Sequence, residues 1–301
     1  MLARLTGGRW LWRAGTLVAA LVLVASASAA PLGQRGGQRG GRGGRRGGFD
    51  GGPSDGFPPP RTFMRYGTFD DFDGGFQFCR LVFRNAPNGD GAGWGVDYPR
   101  ADQNLSIRLS ELTRIPVSMD DANLPLPLLF HATSPELSHC AFVMMTEPGG
   151  AFFDDEEAAA LRTYLLKGGF LWADDFWGSY AWDFWEGQIR KVLPSGQYPI
   201  FDVPLDHPIF HEMMAVSRIP QIPSIGVWEY NHVTSERGVD SATPHVRAIN
   251  DDHGRIMVLM THNTDFGDAY EREGDDHEYF EKFSVPGYAF GVNVLLYVMS
   301  H

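Results

Sequence analysis

From residue 76 onward, apolar positions gather into short continuous runs separated by stretches of helical spacing. Phe76 to Phe83 predicts a first strand. Ala141 to Thr146 is an apolar run of strand length, suited to a strand covered on both faces. Between them, Asp102 to Leu112 places Leu105, Ile107, Leu109 and Leu112 among polar residues and predicts a helix. Ile115-Pro116-Val117 predicts a short strand, and Asn85 to Tyr98 a Gly- and Asn-rich loop containing Trp94. The clearest helix opens at Asp154-Asp155-Glu156-Glu157, where Asp154 and Glu157 have the capping-box spacing. Its apolar stripe is Leu161, Tyr164 and Leu165, and Gly168-Gly169 ends it.

Phe170 to Ala173 follows as a strand and Trp177 to Arg190 as a helix. His245 to Asn250 and Arg255 to His262 predict two strands joined across Asp251-Asp252-His253-Gly254, a hairpin signal. Gly287 to Ser300 predicts an apolar C-terminal helix. Strands alternating with helices over short connections predict an α/β fold: a mostly parallel sheet flanked by helices, flavodoxin- or Rossmann-like, in one domain over 62–301.

The first sixty residues have a different composition. Arg4, Arg9 and Arg13 precede the apolar run Gly15 to Ala25, and Ala27-Ser28-Ala29 offers a small-x-small cleavage site. This pattern predicts a secretory signal peptide over 1–29, and so a periplasmic or extracellular location with no transmembrane helix once the signal is removed. Residues 30–61 form a Gly/Arg/Pro-rich linker with no apolar residues to bury in its Gly/Arg/Gln part, and are expected to be disordered. Arg35, Arg39, Arg42, Arg45 and Arg46 suit either a plain spacer or a polyanion contact.

Of 25 Lys+Arg and 37 Asp+Glu, residues 1–61 hold nine basic and two acidic ones, leaving the body with a net charge of −19. Such a body does not bind nucleic acid. Cys79 and Cys140 each sit in or beside an expected core strand. A free thiol packs there as a small hydrophobe, while export permits a disulfide, so their pairing stays open.

Polar groups collect where strands finish. Asp174-Asp175 follows Phe170 to Ala173, a position where paired carboxylates can bind hydroxyls, act as acid and base, or hold a metal, and where they can equally cap a helix. Adjacent strand residues point to opposite sides, so joint action on one ligand requires that the strand has already ended. Phe176, Trp177, Tyr180, Trp182, Phe184 and Trp185 follow, mostly as a core stripe, with Trp182 off that face. Beside the carboxylates, Trp177 and Trp182 resemble a sugar-stacking platform. Asp206 is expected to cap the turn Pro208-Ile209-Phe210, with His207 packed or hydrogen-bonded. Asp265 and Asp268 follow the strand ending at His262, and either face the crevice or cap the next helix. The glycines at 89, 91, 93 and 95 fit no phosphate-binding fingerprint, there is no Gly-x-Ser-x-Gly elbow, and neither cysteine sits in one. No cofactor and no metal ligand is assigned.

Several residues together resemble the bacterial domain of unknown function 4159 family. They are Arg80-Leu81, Trp94, Tyr98-Pro99, Asn104-Leu105, Leu161-Arg162 and Gly168-Gly169-Phe170 with Asp174-Asp175. They continue with Asp206-His207-Pro208-Ile209-Phe210, Arg255-Ile256, Asp265 and Gly291-Val292-Asn293. The resemblance implies an amidotransferase-like α/β fold and an export context, with no established activity. In the wider fold the turn after Phe170 to Ala173 can carry a cysteine nucleophile. Here it carries Asp174, Asp175 and Phe176, which argues against glutamine amidotransferase activity.

The expected role is therefore a binding domain for a small molecule, carbohydrate or cell-envelope ligand. Asp174, Asp175, His207 and Asp265 line its crevice, with Trp94, Trp177 and Trp182 at the rim. The alternatives are a carboxylate-dependent hydrolase, with or without a metal, and an interaction module of an envelope complex.

Overall fold

A computed structural model describes residues 64–301. The expected signal peptide and the arginines of the tail lie outside the described residues. Strand β1 (Cys79–Val82) and the two-residue β2 (Arg84–Asn85) lead through the glycine loop to helix α1 (Arg100–Thr113). Then come β3 (Leu128–His131), β4 (Phe142–Thr146), the short β5 (Ala151–Phe152), α2 (Asp155–Leu166), β6 (Phe170–Phe176) and α3 (Gly178–Val192). The chain finishes with β7 (Phe201–Asp202), α4 (Ile225–Asn231), β8 (His245–Asn250), β9 (Ile256–His262), α5 (Phe266–Glu271), α6 (His277–Tyr279) and α7 (Val285–Ser300).

Seven strands form one sheet in the order β3-β1-β4-β6-β9-β8-β7. The first five run parallel, and β8 and β7 add antiparallel at one edge. This is the expected mostly parallel α/β domain. Period-two alternation sends successive residues of one strand into two separate cores. Met144 of β4 and Trp172 of β6 join Leu105, Leu109, Phe266 and Phe290 on the face covered by α1, α5 and α7. Val143, Met145, Leu171 and Ala173 join Leu161, Leu165, Trp185 and Ile189 on the face covered by α2 and α3.

The capping box at α2 is complete. Asp154 Oδ1 accepts from Glu157 N at 2.9 Å, and Glu157 Oε2 accepts from Asp154 N at 2.9 Å. Gly168, at φ +104°, takes the left-handed turn that releases the chain into β6. The helical stretch His277–Ser300 is long and apolar enough to cross a membrane by length and composition alone. Tyr279, Phe290, Val292 and Leu295 within it are buried in the domain core, so it packs as a core helix.

Three local readings change and one open question is answered. Ile115-Pro116-Val117 forms no strand, and only Val117 makes an isolated bridge, to Phe76. β3 was not expected: Leu124-Pro125-Leu126-Pro127 breaks the alternation that would have marked it, and tertiary pairing with β1 makes the strand. The cap before Pro208 is His207 rather than Asp206, because His207 Nδ1 accepts from Ile209 N at 3.2 Å. Cys79 and Cys140, left open as free thiols or a pair, form a disulfide across 61 residues of sequence. The bond ties β1 to the segment entering β4 and restricts the unfolded chain. Replacing both cysteines by alanine is expected to lower unfolding free energy by about 3 kcal/mol, read as a lower urea midpoint with a steeper slope, because the chain without the cross-link exposes more surface on unfolding.

Candidate functional site

β1 pairs with β3 on one side and β4 on the other, so the crossovers reverse direction at this point. Ligand crevices in open α/β sheets form beyond the carboxyl ends of the strands at such a switch point. The loops leaving these ends are acidic. Asp97 comes from the glycine loop, Glu147 follows β4, Asp175 lies near the end of β6, and Asp265 and Asp268 follow β9. Asp97, Asp175, Asp265 and Asp268 are each more than nine-tenths buried. One oxygen from each of Asp97, Asp175 and Asp265 lies within 4.8 Å of the others.

The backbone is strained at the same places. Asp97 (φ +62°), Glu147 (+52°), Asp175 (+61°) and Asn263 (+62°) all occupy the left-handed region, which non-glycine residues rarely adopt. At Asp175 the cause is a bulge. β6 pairs Asp174 with Thr261 and Phe176 with His262, leaving Asp175 as the extra residue. The strand therefore does not end before the two carboxylates, as joint action had required. The bulge turns Asp175 out of the alternation instead.

The two neighbours consequently have different partners. Asp174 Oδ2 accepts from Phe266 N at 2.9 Å and Gly267 N at 3.1 Å, while Oδ1 accepts from the Thr261 hydroxyl. It pins the start of α5 against β6. Asp175 Oδ1 accepts from Trp177 Nε1 at 2.9 Å. Asp265 does both things expected of it as alternatives: its Oδ1 caps α5 by accepting from Asp268 N at 2.7 Å, and the side chain joins the cluster.

Burial and mutual repulsion disfavour ionisation throughout. Burial pushes the Asp174 and Glu147 carboxyls up to about 7 and that of Asp268 to about 6. Asp97, Asp175 and Asp265 stand well above the usual carboxylate range, through burial first and neighbouring carboxylates second. Nearby arginines are committed elsewhere. Arg80 holds Asp102, the carbonyls of Trp94 and Val96, and the Thr146 hydroxyl. Arg272 pairs with Asp268 and Glu271.

Gly267 is required by this geometry. A Cβ there would fall inside contact with Asp97 Oδ2 and crowd Asp265 Oδ1. Gly267→Ala is expected to displace Asp97 and lower affinity for any crevice ligand at least tenfold while leaving the far-ultraviolet circular dichroism unchanged. Wild-type affinity in that variant would show that Asp97 is free to move without consequence.

His207, expected in this crevice, is placed elsewhere. Its ring lies 5.6 Å from that of Tyr297, whose hydroxyl accepts from Ile256 N at the start of β9. The acidic cluster lies past the other end of that strand. His207 and Asp175 thus lie at opposite ends of the strands.

The tryptophans do not present a free platform. Trp177 is buried with its Nε1 on Asp175. Trp182 packs between the Phe176 ring at 6.1 Å and the Arg247 guanidinium at 4.1 Å. Trp94 is half-buried on the glycine loop that carries Asp97, with its ring edge-on to Tyr98. The sequence reading missed Asp97 and Glu147. Glu147-Pro148-Gly149 follows the apolar run of β4 just as Asp174-Asp175 follows that of β6, so the same signal was present there.

The fold and site define a single α/β domain with a mostly parallel sheet and a buried acidic cluster beyond its strand ends. Residues 78–299 match the family described as "Domain of unknown function (DUF4159)", and the chain belongs to that family. No curated protein matches it.

Proposed function

We propose that this protein is an exported binding domain that takes a hydroxyl-rich ligand, such as a cell-envelope glycan, in the acidic crevice without thiol chemistry. The observation that carries the reading is the convergence of Asp97, Asp175 and Asp265, from the glycine loop, the bulge of β6 and the turn after β9, beyond the strand ends. Carboxylates accept hydrogen bonds from ligand hydroxyls, and strained backbone at Asp97 and Asp175 favours a binding role over plain capping there. The disulfide supports an oxidising compartment, in keeping with the signal-like segment over 1–29. Both cysteines are consumed in that bond, so glutamine hydrolysis through a thiol has no nucleophile here. The parallel strand order supports the wider amidotransferase-like placement.

Thermal unfolding against a set of envelope glycan fragments tests the reading. At least one fragment raises the wild-type midpoint, and Asp175→Asn abolishes the rise. A wild-type midpoint unmoved by every fragment sinks the proposal.

One observation favours a second reading, a carboxylate-dependent hydrolase. Asp175 takes a left-handed conformation at a bulge near the end of a central strand, just before a helix, a placement comparable to that of a nucleophile elbow. Turnover of chromogenic glycosides or esters that disappears in Asp175→Asn would establish it, and no turnover retires it.

A further inference from the structure

We propose that Asp97, Asp175 and Asp265 hold one oxygen-seeking divalent cation, of the calcium or magnesium class, at the floor of the crevice. The proposal deepens the reading of the crevice as a ligand site and rests on it. Ligating oxygens no more than 4.8 Å apart span twice a metal–oxygen distance of about 2.4 Å, within the range calcium takes. That space suits one ion and is too small for a sugar ring.

A cluster of acids alone says little, because acids cluster without ions. Asp97 Oδ2 supplies the independent observation. It is shielded from solvent and no group donates to it. It points at the bare Cα of Gly267, on the side where Asp265 Oδ1 lies. A desolvated carboxylate oxygen without a partner is strongly unfavourable, and a bound cation removes that penalty.

The other two carboxylates are oriented from outside. Trp177 Nε1 holds Asp175 at 2.9 Å and Asp268 N holds Asp265 at 2.7 Å. Such outer contacts fix the direction in which a metal ligand points. No arginine competes for the three. Arg80 is bonded to Asp102, and Arg272 to Asp268 and Glu271. A second trio, Asp97, Asp268 and Glu271, is equally close. Arg272 already neutralises two of its members, which places the ion on the side of Asp175 and Asp265. Donors that are all oxygen favour calcium, magnesium or manganese over zinc or copper. Coordination positions left open toward the crevice mouth would take a pair of ligand hydroxyls, so the ion would be the contact through which a glycan is held.

The test uses the full chain, stripped with EDTA and titrated separately with calcium and magnesium. Binding is followed by calorimetry, by unfolding midpoint, and by terbium emission excited through tryptophan. We expect one equivalent of calcium or magnesium, a midpoint raised by about 4 °C or more at saturation, and terbium emission displaced by calcium. Asp97→Asn and Asp175→Asn, which preserve shape, should fold by circular dichroism and lose at least tenfold in affinity. Asp206→Asn, at an exposed position outside the cluster, should match wild type.

No cation response in folded wild-type protein overturns the proposal, as does wild-type affinity in both Asn variants. A glycan that still binds in EDTA overturns the ion as the contact to the glycan while leaving the ligand reading intact. Cation binding with no glycan response keeps the ion site and retires the ligand reading.

Discussion

Replacing Arg80 with methionine is expected to lower the unfolding free energy by about 3–5 kcal/mol. Arg80 is fully buried. Its Nε donates to Asp102 Oδ2 at 2.9 Å and its Nη2 to Asp102 Oδ1. Its Nη1 reaches Trp94 O at 3.0 Å, Val96 O at 2.8 Å and Thr146 Oγ1 at 2.7 Å. Removing the guanidinium strands a buried carboxylate and frees two carbonyls of the loop leading to Asp97. The pair itself need not be strongly stabilising, since desolvation offsets much of the attraction. The double variant Arg80→Met with Asp102→Leu should therefore recover most of the loss. Lysine should rescue poorly, because it cannot make the two-pronged contact. Urea unfolding of the three variants decides the matter. A single-variant loss below about 1 kcal/mol would mean that the loop and α1 hold without the arginine.

The second large effect is a dependence of metal-free stability on pH. The carboxyls of Asp174 and Glu147 rise to about 7 and that of Asp268 to about 6, all mainly through burial. A carboxyl whose folded value is raised binds its proton more tightly in the native chain than in the unfolded one. It favours the fold fully below its unfolded value, and that contribution drains away as pH rises through the folded value. Asp174 alone then sheds about 1.4 kcal/mol per pH unit between its unfolded value and about 7.

Asp71, Asp73, Asp154 and Asp251 have lowered values and act oppositely. Their contribution is present above the unfolded value and lost as pH falls through the folded one. They titrate near or below pH 4, outside the window of the crevice groups. Chelated protein should therefore unfold at lower temperature at pH 8 than at pH 5.5. Asp175→Asn or Asp265→Asn should flatten the slope, since each removes one of the mutually repelling groups. Stability rising from pH 5.5 to pH 8 would show that the buried carboxylates are ionised and compensated in the native state.

Much of the fold was legible in the chain because its signals are local. Strands β4 and β9 appeared as apolar runs, β8 and β9 as a hairpin around Asp251 to Gly254, and α1 and α3 by helical spacing. β3 escaped because prolines interrupt its approach and its partner β1 lies far away in sequence. The acidic crevice was half visible. Asp174, Asp175 and Asp265 were marked as polar groups at strand ends. The division of labour between them was not, because it turns on one bulge that no local pattern announces.

The sequence by itself determined the α/β class, the limits of α2 and the strand-end position of Asp174 and Asp175. Each depends on periodicity or on hydrogen bonds between residues three or four apart. Only the tertiary structure decided which strand ends meet. The order β3-β1-β4-β6 carries the glycine loop to β6 and β9, so that Asp97 joins Asp175 and Asp265 while His207 is left at the opposite ends of the strands. It also brought Cys79 to Cys140 and covered the rings of Trp177 and Trp182. These outcomes depend on contacts between segments distant in the chain, which spacing along the sequence does not encode.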